Sequence, residues 1–216
     1  MSVERKTVRV DVISDCVCPW CYVGKRRLDE AVARIGDRLD VQVAWHPFQL
    51  DPSLPPEGRE WTAYVRERFG SLERFAEIQQ RLVEIGREVG IPFAFDRVKR
   101  AVNTFSAHRL IALAAEAGRQ HEVVERVFSA HFVEGRNVGE LETLAAIAAE
   151  AGMDGADVLT ALREGRGEGA VRLGLDLAEK IGVTGVPLFI VEWRYAVQGA
   201  QPTEVLVEAI EAAATR

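Results

Sequence analysis

Cysteine is scarce in this 216-residue chain and confined to one place: Cys16, Cys18 and Cys21 are all it has. Thiols so close together cannot tie distant parts of a chain to one another, so a disulfide-built scaffold is excluded and the three read as chemistry. Positive charge is in deficit. Against 33 Asp and Glu stand 27 Lys and Arg, a formal net charge of −6, which leaves no large positive field for a phosphate backbone, and nucleic acid is not an expected partner. Nowhere do about 18 uninterrupted apolar residues occur, and the opening MSVERKTVRVDVI runs straight into a strand-like pattern instead of an apolar leader. No membrane association is expected, and the expected home is the cytoplasm. Repeats and low-complexity tracts are missing too. What remains, 48% hydrophobic and 28% charged, is an ordinary globular composition, long enough to bury a real core.

Within that background Cys18-Pro19-Trp20-Cys21 directly follows an apolar segment at residues 8–13. A helix starting at the first thiol sets the second one turn further in, within reach of a disulfide, so dithiol-disulfide exchange is the leading chemistry. At a helix N-terminus Cys18 faces unpaired N–H groups and the positive end of the dipole, and Pro19 at the first helical position sacrifices no needed N–H. Cys18 is therefore the expected nucleophile and Cys21 the resolving thiol. Trp20 offers an apolar surface beside them for a partner disulfide or the flank of a small substrate. Cys16 has two readings: a buried small residue at a strand end, or a redox accessory sharing a face with Cys18. Zinc would need a fourth ligand beyond the three cysteines, which His46 could supply, and no metal is expected.

Alternation predicts strands at residues 7–13 and 39–45, joined by a helix over 21–35 that turns Lys25, Arg26, Arg27 and Arg34 away from its apolar stripe. Residues 55–161 read as almost wholly helical, with helices at 59–69, 72–89, 104–116, 121–132 and 140–151 parted by glycines. Another helix follows at 166–181, then strands at 187–191 and 194–197 and a last helix at 202–213. The glycines at 165–169 lack a preceding strand and a P-loop lysine, so they mark a charged turn. Trp61, Phe69, Phe75 and Phe105 are expected to anchor the helical middle, and His121 and His131 to lie at the surface or boundary. Gly185-Val186-Pro187-Leu188-Phe189 forms a tight turn into a strand, because proline cannot sit mid-ladder.

CxxC after the first strand, with Gly-Val-Pro before a late strand, resembles the thioredoxin fold in the branch typified by the oxidant DsbA, which carries a helical insertion. A closer likeness is to FrnE-like proteins and their relative 2-hydroxychromene-2-carboxylate isomerase. It rests on Ser14-Asp15 ahead of residues 18–28, on Trp45-His46-Pro47-Phe48-Gln49-Leu50, on Asn103-Thr104 with Ala107-His108-Arg109-Leu110, and on residues 194–202. The resemblance implies an α/β thioredoxin-like fold made of residues 1–54 and 165–216, with 55–164 as an inserted helical domain. It also implies a cis Val186-Pro187 peptide opposite Cys18 and Cys21, its backbone ready to pair with a bound peptide or glutathione. In the family the Asn-Thr block lies near the active site, so Asn103 is a candidate ligand contact; the alternative is a helix cap. His46 is either a second such contact or a hydrogen-bonded histidine holding the Pro47 turn.

The expected activity is that of a thiol-disulfide oxidoreductase acting on protein or small-molecule thiols and disulfides, with no bound cofactor and glutathione as a possible co-substrate. Two rivals stand beside it. One is a glutathione-dependent isomerase or transferase for an aromatic or polyketide-like molecule, although its relatives typically carry serine where this chain has Cys18. The other is a redox-switched binding module. The chain lacks the extra C-terminal cysteine pair of some FrnE-like proteins, so no second internal dithiol can receive oxidising equivalents.

Overall fold

A computed structural model describes residues 5–215. The valine-rich start forms β1 (Lys6–Ser14), after which α1 (Pro19–Ile35) crosses to β2 (Leu39–Pro47), parallel to β1 in the register Val8↔Val41 to Ser14↔Pro47. A long helical section follows: β3 (Arg59–Glu60), α2 (Trp61–Phe69), α3 (Leu72–Glu88), β4 (Arg100–Ala101), α4 (Phe105–Glu116), α5 (Gln120–Phe132), α6 (Leu141–Glu150) and α7 (Gly155–Arg163). The chain returns through α8 (Glu168–Lys180) to β5 (Leu188–Val191), β6 (Tyr195–Gln198) and α9 (Thr203–Ala214). The main sheet has the order β2-β1-β5-β6, with β5 antiparallel to both neighbours. This is an α/β thioredoxin-like fold with a large helical insertion.

β1 is one of the two inner strands and is buried on both faces, which is why its alternation fades after Arg9. Val8, Val10 and Val12 join Leu28, Ile35, Phe189 and Ile210 in the main core, while Ile13 packs with Ala178 and Ile190 in a second one. Each such side chain removed from water contributes roughly 1.5–3 kcal/mol. Together they fix the end of β1, and so the place where the thiol loop begins.

In its secondary structure and helix packing the structure departs from the sequence reading at the β3–β4 ribbon, at α7 and at Lys25. The helical section is interrupted by the β3–β4 ribbon, where Arg59 pairs with Ala101 and Glu60 with Arg100. It also gains α7, whose N-terminus Asp154 caps by accepting from the N–H groups of Ala156 and Asp157. Lys25, expected on a solvent face, is buried in α1, its ammonium 2.7 Å from Asp29 and 2.9 Å from Glu125 of α5. Two carboxylates make that burial tolerable where one apolar neighbour would not.

Candidate active site

Cys18 is the N-cap of α1, with extended backbone, and Pro19 opens the helix. Its N–H is held by the Asp15 carbonyl at 3.1 Å, and its own carbonyl accepts from the N–H groups of Cys21 (3.0 Å) and Tyr22 (3.3 Å). The Cys18 sulfur therefore sits at the positive end of the helix, where negative charge is favoured. It lies 3.8 Å from the carbonyl oxygen of Val186, the residue before the cis Val186-Pro187 peptide. Cys21 stands behind it, fully buried. Burial, then the neighbouring Cys18 side chain, pushes the Cys21 thiol well above its ordinary range, against the pull of the Ser14 hydroxyl and the Asp15 backbone.

The cis-proline loop is held at this distance from two sides. Pro187 accepts from the N–H of Gly199 at 2.8 Å, and the Gln198 amide donates to the Gly185 carbonyl at 2.9 Å. On the helix side the contact is made through Gly24, where a Cβ would stand only 3.0 Å from Pro187 Cγ and 3.0 Å from Phe189 Cζ. Gly24→Val is expected to cost about 1–3 kcal/mol by overpacking and to slow exchange by pushing the loop from Cys18. Urea unfolding and turnover, measured together, check it; an unaltered rate would show that the loop spacing does not matter.

Cys18, Pro19, Trp20 and Val186 border a cavity of about 380 Å³. Its far wall comes from the inserted helices, with Trp61, Tyr64, Phe69, Phe75 and Ile78 turned toward the thiols. Trp61, Phe69 and Phe75 do anchor one another, with ring centroids 5.6 and 4.6 Å apart, but they remain half-buried along the cavity. Phe105 is separate from them, under the Arg172 guanidinium of α8. His131, expected near the surface, is buried in the cavity wall. Burial pushes its pKa down to about 4, so the ring is neutral at physiological pH.

Neither His46 nor Asn103 is among the described residues that line this cavity. His46 Nε2 lies 2.6 Å from Asp11 on the neighbouring strand. Asp11 is a buried carboxylate whose pKa burial would raise but which Arg9 and His46 hold below its ordinary value. Asn103 precedes Thr104, the N-cap of α4, and accepts from the Phe105 N–H at 3.0 Å while donating to the Leu54 carbonyl at 2.6 Å. It thereby fixes the segment that brings Leu54 to the cavity.

Cys16 is buried and does not line this cavity, its sulfur 3.9 Å from His108 Nδ1. The other ring nitrogen of His108 faces the Phe48 carbonyl (2.8 Å) and Asp15 Oδ1 (3.3 Å), while Asp15 Oδ2 accepts from the Leu50 N–H. Burial disfavours the imidazolium, yet Cys16 and Asp15 outweigh it and raise His108 to about 10. This cluster joins residues 15–16, 48–50 and 108, and no spacing in the sequence announces it. Asp15, Cys16 and His108 offer three metal-ligating atoms within 4.8 Å of one another. However, sulfur and carboxylate face opposite nitrogens of a single ring, so one ion cannot take all three without rotating it. Cys16→Ser is expected to leave exchange largely intact, since the sulfur lies outside the cavity; a large loss of turnover would make Cys16 a participant.

A model of the DSBA-like thioredoxin domain matches residues 9–211. The chain belongs to that family. It is 32% identical over 205 residues to the uncharacterized protein YwbO of Bacillus subtilis (strain 168), covering 94% of this chain and 96% of that one. Among solved structures it is similar to the probable DsbA oxidoreductase SCO1869 of Streptomyces coelicolor, with a TM-score of 0.86, 31% identity, and 95% and 89% of the two chains covered. The cytosolic disulfide reductase DsbM of Pseudomonas aeruginosa with GSH shares the fold at a TM-score of 0.60 and 22% identity, over 96% of each chain. The DSBA-like assignment makes this a thioredoxin-fold redox protein with a CxxC-spaced cysteine pair. Among the described residues, no helix is long and apolar enough to cross a membrane.

Proposed function

We propose that this protein is a thiol-disulfide oxidoreductase of the FrnE-like subgroup, in which Cys18 is the nucleophile and Cys21 the resolving thiol. The observation that carries the reading is the difference between the two sulfurs. Cys18 lies at the helix N-terminus, on the cavity and beside the cis-proline loop, whereas Cys21 is sealed behind it. Cys18 itself helps keep Cys21 protonated. Once Cys18 is tied up in a mixed disulfide, that part of the obstacle is gone and Cys21 can attack.

Glutathione is the proposed co-substrate, and the cytoplasm, with its glutathione pool, the proposed setting. Support comes from the like-folded DsbM, which is described as cytosolic and with GSH, and from a chain whose cysteines are all at one site. Equilibration across ratios of reduced to oxidised glutathione, with alkylation of free thiols and peptide mass analysis, tests it. The expected result is a reversible Cys18-Cys21 disulfide whose midpoint gives the direction of exchange. A persistent glutathione adduct, or an unreactive pair, would move the assignment to the isomerase or the binding module.

A further inference from the structure

The exchange chemistry uses the sulfurs and leaves the cavity beside them unexplained. Its volume of about 380 Å³ lies in the range of small-molecule sites, which are concave and mostly apolar with few polar groups. The α2–α3 hairpin turns Trp61, Phe75 and Ile78 inward, yet the two rings stay half-buried and Ile78 is exposed. Apolar surface held open in this way is unfavourable in water unless something covers it. Glutathione, with two carboxylates and an ammonium, does not match that wall. The wall's charged side chains are few: Asp15 is engaged by Leu50 and His108, Asp51 by Ser53, and the exposed Arg68 is a single cation at a mostly apolar wall. The wall also surrounds its content: it is drawn from the thiol loop, the cis-proline loop, α2, α3, β4 and the end of α5. Apolar walls contributed from several sides suit a compact apolar group.

We propose that the cavity takes the bulky apolar half of a small mixed disulfide whose other half is glutathione. The inference rests on the exchange reading above and names its substrate class. The Cys18 thiolate attacks the glutathionyl sulfur of R–S–S–G, the substrate S–S bond breaks, and RS⁻ leaves and is protonated. Cys21 then gives up its proton and attacks the Cys18 sulfur, closing the Cys18-Cys21 disulfide and releasing glutathione. Two electrons pass from the protein dithiol to the substrate disulfide. Two further glutathione molecules reduce Cys18-Cys21 and leave as glutathione disulfide.

The test compares glutathione mixed disulfides of 2-phenylethanethiol and ethanethiol, two alkyl thiols of similar basicity, so that leaving-group strength is matched. The phenylethyl compound is expected to be favoured about 10- to 100-fold in kcat/KM, and Trp61→Ala and Ile78→Glu to bring the ratio toward one. Equal kcat/KM values for the parent protein, or a ratio that both variants keep, would overturn the inference, as would faster turnover of glutathionylated, unfolded ribonuclease. A second measurement separates the cavity from the chemistry. Calorimetric binding of S-(2-phenylethyl)glutathione, which cannot exchange, is expected to be at least about tenfold tighter than that of S-ethylglutathione. Tight selective binding without turnover of either disulfide would sink the exchange reading and leave the apolar cavity assignment standing; unselective binding with normal turnover would do the reverse.

Discussion

Cys18→Ser is expected to lower exchange by on the order of 10³-fold or more, whereas Cys21→Ser, in a single turnover without added glutathione, stops one step later with the protein trapped as a mixed disulfide. The asymmetry follows from where the sulfurs lie. Cys21 cannot stand in for Cys18, because it is fully buried and held protonated by that burial. Serine at position 18 keeps the shape of the loop but offers a hydroxyl, a far weaker nucleophile than a thiolate near neutral pH. In the Cys21 variant the first attack proceeds on the cavity side, and nothing within the loop then displaces the adduct. Turnover with a glutathione mixed disulfide and intact mass after acid quenching read both outcomes. Full exchange by the Cys18 variant would end the assignment, and the absence of any adduct in the Cys21 variant would remove its resolving role.

Local features of the chain were legible because short-range physics decides them. The CPWC start of α1 needed only a preceding strand, a proline at the first helical position and a thiol pair at one-turn spacing. β1 and β2 announced themselves by alternation, although both run a residue or two beyond the predicted ends. The β3–β4 ribbon was illegible: two residues per strand carry no period, and residues 59 and 101 meet only because the chain folds back. Burial of single polar residues was equally hidden. Lys25 and His131 sit in patterns that read as surface, yet Lys25 is buried by the approach of α5 to α1 and His131 is buried in the cavity wall. His46 shows the same limit from the other side. Its partner Asp11 is fixed by the parallel register of β1 and β2, a pairing no window of sequence contains.

Replacing His108 by leucine is expected to destabilise the protein by about 3–5 kcal/mol, the usual consequence of removing one partner from a buried charged cluster, or on the order of 10 °C in Tm. Asp15 would keep only the Leu50 N–H, and Cys16 would face an apolar side chain. The pH dependence distinguishes a charged His108 from simple loss of packing. Its folded pKa of about 10 lies above its ordinary value of 6.5, so the folded state binds the proton more tightly than the unfolded chain does. The contribution is therefore fully present below about 6.5 and is lost as pH rises through about 10. Urea unfolding of parent and variant from pH 6 to 10 should show a gap that is widest at the acid end and shrinks steadily. A gap that does not change with pH would mean a neutral ring held by packing alone. The comparison with His131 shows why neighbours, not burial, decide the charge: both rings are buried, but His131 has only weak help from Asp15 and the Arg136 backbone and falls to about 4. Because the Asp15 backbone also receives the Cys18 N–H, a weakened cluster should loosen the entry to the thiol loop. His108→Leu is thus expected to slow exchange while leaving both active-site thiols in place.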